Sequence, residues 1–167
     1  MVSQLVIRDS ESPAGCSFAG LMELYENNYI FLRRLIPQLD HGDDVMVSSI
    51  SHGPDLHLAI EERCPYTTTL SLTHQFLLES APETLPNLQL RIYHDARVAE
   101  VMPTCAPTGF AGASFKPMAS RGTLAWRWQV NRFLQRWLRF CLGEGYGFPV
   151  EFDDRVTLRP PARRWAV

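Results

Sequence analysis

An α+β fold is what this sequence predicts, and three observations predict it. An apolar period of three and four residues runs from Leu21 to Ile36 and stops at Pro37. Between residues 45 and 101 the period changes to two, and the alternating runs are separated by turn residues. A second helical period then extends from about Thr123 to Leu142. Strands grouped between two helices, rather than alternating with them, favour an antiparallel sheet of four to six strands with both helices packed on one face.

The N-terminal helix is defined by Leu21, Leu24, Tyr25, Asn28, Phe31, Leu32, Leu35 and Ile36. Arg33 and Arg34 suit the negative end of its dipole. Val45 to Ser51 and Asp55 to Arg63 flank His52-Gly53-Pro54, a hairpin signal. In the second of these runs Leu56, Leu58 and Ile60 alternate with His57, Ala59 and Glu61, so one side is core and the other wet. Tyr66 to Phe76 repeats the pattern, with Leu70, Leu72, His74 and Phe76 opposite Thr67, Thr69, Ser71 and Thr73. Ala81-Pro82 and Leu85-Pro86 mark a loop. The clearest strand follows, with Leu88, Leu90 and Ile92 against Gln89, Arg91 and Tyr93; at His94-Asp95-Ala96-Arg97 the chain either reverses in a tight hairpin, the favoured reading, or continues as one long bent strand with a bulge into Val98 to Val101. Pro103 to Ser120 reads as a long irregular connection. In the last helix Trp126, Val130, Phe133, Leu134, Trp137, Phe140 and Cys141 share a core-facing arc, and Gly143 is the expected left-handed cap.

These elements give one domain over residues 18–147, preceded by a flexible leader at 1–17 and followed by an extended tail at 148–167. No run approaches the roughly 18 apolar residues of a membrane span, so a cytoplasmic location is expected. Cysteines 16, 64, 105 and 141 are isolated, without the close pairs of zinc or redox motifs, and free thiols are expected.

Four segments carry a resemblance: NNYIFLRRLIP at 27–37, YTTTLSLTHQ at 66–75, RIYHDARVAEV at 91–101 and QVNRFLQRWLRFCL at 129–142. With these the chain resembles the YqiB-like family of uncharacterised proteobacterial proteins, over about Leu21 to Gly145. The resemblance implies a bacterial cytosolic protein. It supplies no activity and no catalytic residue.

Function must then be sought in the side chains. The glycines of Gly143-Glu144-Gly145-Tyr146-Gly147 follow a helix, whereas a phosphate cradle opens one. His94 and Asp95, as strand neighbours, point to opposite faces unless the chain is already turning. His74 and His94 are both in phase with core leucines, where a packed, hydrogen-bonded histidine is the plainer reading than a metal ligand. No metal and no cofactor are expected. Two surfaces remain. The first is Trp128 with Arg132, Arg136 and Arg139, turned away from the core arc of the last helix, in a segment from 116 to 142 that holds no acid although the net charge is −2. Arginines with an interleaved aromatic suit an acidic protein, a nucleic acid or an anionic membrane surface. The leading expectation is a non-enzymatic binding module for an acidic protein or nucleic-acid partner. The second surface is the open sheet face around Arg91, Tyr93, His94 and Asp95, which would suit a nucleotide-like small molecule in an enzyme or sensor.

Overall fold

Ser17 opens the first helix: its backbone is extended and its hydroxyl accepts from the Gly20 amide at 3.0 Å, satisfying one of the free N–H groups of the first turn. Helix α1 spans Phe18–Leu35 in the computed structural model, which describes residues 16–77, 82–104 and 119–149. Most of the leader, of the 103–120 connection and of the tail lies outside these residues, as does Cys105. Cys16, Cys64 and Cys141 are free thiols.

Five strands follow: β1 (Val45–Ser48), β2 (Asp55–Arg63), β3 (Thr67–Leu77), β4 (Pro82–Tyr93) and β5 (Val98–Val101), then helix α2 (Leu124–Glu144). The strands form one antiparallel sheet in the order β1-β2-β3-β4-β5, a meander in which every strand pairs with its sequence neighbour. The register stacks the predicted leucines in rows, Leu58 beside Leu72 beside Leu88, and Leu70 beside Leu90 beside Val101. That row pattern puts every leucine of the alternating runs on one face. There they join Leu32, Leu35 and Ile36 at the end of α1 and Trp126, Val130, Phe133, Leu134, Trp137 and Cys141 of α2 in a single core.

Three boundaries differ from the sequence expectation, each for a physical reason. Strand β4 starts at Pro82, within the stretch that two prolines mark as a loop. Pro82 is the first residue of the strand, paired with Leu77, a terminal position where a residue without an N–H is tolerated. Helix α2 runs to Glu144, and the left-handed cap is Gly145 (φ 91°), whose N–H reaches Cys141 and Leu142, rather than Gly143. Phe148, assigned to the tail, is buried in the core, and its N–H bonds the Leu35 carbonyl at 2.9 Å. The chain therefore returns to the end of α1 before leaving the described residues.

The two helices run side by side in the same direction. Asn28 meets Asn131 midway, and Leu35 meets Phe148 at the far end. Together they close the outer edge of β5. The Val101 N–H, turned away from β4, donates to Asn131 Oδ1 at 2.9 Å, while Asn131 Nδ2 donates to the Arg127 carbonyl and Asn28 Nδ2 to the Asn131 carbonyl. Both asparagines are fully buried, and this edge-capping explains why α1 and α2 carry amides on their apolar sides.

Candidate binding surface on the paired helices

Because the core arc of α2 takes up one side of that helix, its remaining side faces α1 and solvent. Trp128, Arg132 and Arg136 are half-buried there, and Arg139 is exposed. The sequence alone turns Trp128 fully outward. Instead, α1 lies close enough to cover one side of the indole, which packs on the cluster of Leu21, Leu24, Tyr25 and Val98. The Arg132 guanidinium carbon stands 5.9 Å from the Trp128 ring centre, a cation–π geometry. Around this pair runs a shallow groove of about 310 Å³, lined by Gly20, Glu23, Leu24 and Asn27 of α1 and by Trp128, Arg132 and Gln135 of α2.

The parallel helices set the charge along this groove. Glu23 lies at the end near the helix N-termini, an acid that reading residues 116–142 by themselves does not see. Arg127 is taken out of the basic set by Glu100, 2.7 Å away. Toward the C-terminal ends the positive charges accumulate, with Arg136 and Arg139 on α2 and the exposed Arg34 on α1. Helix polarity alone accounts for Arg34 only as a helix end. Its spacing of seven from Asn27, and of fourteen from Gly20, is the signal that puts it on the groove side.

The second sequence-predicted surface is differently arranged. Tyr93 donates to Glu100 Oε1 at 3.1 Å, Tyr25 donates to Oε2 at 3.0 Å, and Arg91 sits directly across the β4–β5 ladder from Glu100. The groups that would grip an anion already surround an internal carboxylate. Burial, opposed by Arg127 and reinforced by Glu100, pushes the Tyr25 hydroxyl up to about 12, so it stays a donor at neutral pH. Burial and Glu100 raise Tyr93 as well. Arg127 is held charged, first by its hydrogen bond with Tyr25.

His94 leaves this cluster for the other face. Its Nε2 lies 2.8 Å from the Thr68 hydroxyl, and its Nδ1 lies 3.2 Å from Asp40 Oδ1, close in distance but poorly aligned for a hydrogen bond. Asp40 also holds Arg33 at 2.9 Å. Carboxylate, imidazole and hydroxyl thus follow the order of a nucleophilic triad, yet Thr68 is only 2% exposed and offers a substrate no approach. Asp95 is exposed in the turn, so His94 and Asp95 form no dyad. His74 is packed inward, as its phase predicts: Trp137 Nε1 donates to its Nδ1 at 3.2 Å, and Cys141 Sγ lies 3.9 Å from Nε2. It is paired across strands with Leu56 and Leu85, whereas His94 follows Tyr93, which pairs with Thr67. The seven-residue separation along β3 puts the two histidines on the order of 20 Å apart. No group of three or more metal-binding side chains occurs among the described residues, and none of their helices is long and apolar enough to cross a membrane.

The model of a family described as a protein of unknown function, DUF1249, matches residues 31–147. The chain is 32% identical over 132 residues to the uncharacterised protein YqiB of Escherichia coli strains K12, O6:H1 and O157:H7, an alignment covering 77% of this chain and 90% of theirs. No solved structure matches. The family match takes in the end of α1, every strand and all of α2, and on it the chain belongs to the DUF1249, or YqiB-like, family.

Proposed function

We propose that the protein is a non-enzymatic, cytoplasmic binding module that takes an acidic partner, protein or nucleic acid, along the paired helices through Trp128, Arg132, Arg136 and Arg139. The observation that carries this reading is the Arg132–Trp128 stack set in an open groove. A guanidinium held over an indole keeps its charge, loses less freedom on binding and presents a flat face beside its N–H fork. Arg136 and Arg139 extend the basic side one turn at a time, and α2 contributes no acid before Glu144 to neutralise it. By contrast, Arg91 and Tyr93 are grouped about Glu100, His94 turns to the other face and Asp95 is exposed, so the four do not converge on one pocket.

Retention on immobilised single-stranded DNA, and on an acidic peptide of matched charge, tests the proposal and separates the two partner classes. Binding to one of them should fall steeply with salt. The R132A/R136A/R139A variant should reduce the log–log salt slope by roughly 2 to 3 with little change in melting temperature. Unchanged retention by a folded triple variant rules the surface out.

A further inference from the structure

The two borders of the sheet are treated differently. At β5 the outward N–H of Val101 is received by Asn131, and α1 packs alongside. At β1 nothing equivalent happens. The Ile60 N–H donates to the Asp44 carbonyl at 2.6 Å, which fixes the alternation: Asp44, Met46 and Ser48 turn their main-chain groups toward β2, and Val45 and Val47 turn theirs away. Among the described residues nothing bonds those outward groups. The two valine side chains are 70% and 51% exposed. This border has β-branched residues, no proline, no lysine and, among the described residues, no covering helix, so its length of four residues is the one usual protection against pairing that it keeps.

We propose that this border is a self-association edge, at which β1 of one copy pairs antiparallel with β1 of a second. The spacing of the outward groups makes the segment self-complementary. With a twofold axis at Met46, Val45 lies opposite Val47 of the second copy, and the two exchange both main-chain hydrogen bonds, so no outward group is left over. The faces are preserved by this axis. Valines 45 and 47 of both copies form one apolar patch on the sheet surface away from the core, and the helices of both copies lie on the same side of a continuous sheet. Charge agrees with the register, since Asp44 comes opposite Ser48 and Asp43 opposite Ser49, and no like charges meet. Asp44 is further held by Arg63 of its own chain. A second copy is the occupant because the same short segment supplies both halves of the match.

Sedimentation equilibrium of the full chain over a concentration series provides the test, with a dimer expected at twice the 19.0 kDa chain mass. The V45K/V47K variant sets like charges opposite each other across the axis and should raise the dimer Kd at least about tenfold while melting as before. The V45K/V47E variant sets opposite charges at the same positions and should restore the dimer. In amide exchange, the Val45 and Val47 N–H groups should become protected as concentration rises. A wild-type chain that stays monomeric throughout, or a V45K/V47K variant that dimerises as well as wild type, overturns the proposal.

Discussion

His74 is buried, and the desolvation that goes with burial fixes its ionisation. Desolvation lowers it from 6.5 to about 4, so it is neutral in the fold and able to accept from Trp137. In the unfolded chain the same imidazole titrates near 6.5. The stabilisation is therefore complete above that pH and is lost as pH falls toward 4, because only the unfolded state takes up the proton over that window. The loss should total about 3 kcal/mol, on top of that from carboxylates. Denaturant unfolding at pH 7 and pH 4.5 should show a smaller difference for His74→Phe than for wild type, even though the variant starts lower after losing the Trp137 acceptor. An equal difference in the two proteins would place a charged His74 in the fold. Cys141, beside it, is held as a thiol by burial, which suits packing rather than reactivity.

At the scale of elements, the loop after α2 clamps the first hairpin. The Tyr146 hydroxyl donates to the Pro54 carbonyl at 2.6 Å, and burial pushes it up to about 12, so the donor persists at physiological pH. Gly53 lies under it: a Cβ there would stand 2.7 Å from the Tyr146 oxygen and 2.8 Å from Ile50 Cδ1. Gly53→Ala should cost about 1 to 3 kcal/mol by overpacking, and Tyr146→Phe should recover part of this in a double-mutant cycle. Additive effects would mean that the Ile50 side of the clash dominates. The hairpin itself was legible from His52-Gly53-Pro54, and the face of every strand from leucine alternation, because both signals are local. The clamp was not, since nothing in Tyr146 names a partner 92 residues earlier. The candidate groove was legible by half for the same reason. Helical phase identifies Trp128, Arg132, Arg136 and Arg139 as one side of α2, but only packing supplies Glu23, Asn27 and Arg34 opposite. Likewise Asn28 and Asn131 fall on apolar arcs, where periodicity marks burial without revealing that they cap a strand.

For the whole molecule, the end of the described chain is structural. Phe148 is 4% exposed, sits in the core with Leu35 and Ile36, and is held by the Leu35 carbonyl, so the last described turn locks the end of the first helix. Phe148→Ala should lower unfolding free energy by about 3 to 5 kcal/mol, read from a shifted denaturant midpoint with an unchanged slope. A shift below 1 kcal/mol, taken as about a third of the smallest core truncation, would mean that the segment merely rests on the surface.

The parallel pairing of α1 with α2 also has a consequence for the order in which the molecule is made. A ribosome delivers α1 before the whole meander and α2 after it, and each hairpin of that meander can close on its immediate neighbour as it emerges. The apolar stripe of α1 cannot. Its partner residues from Trp126 to Phe148 are still unsynthesised, and so is the Asn131 amide that closes the border of β5. Until α2 is released, the nascent chain carries a β5 border without its asparagine cap and a helix with its greasy side uncovered, and α2 covers both at once when it emerges.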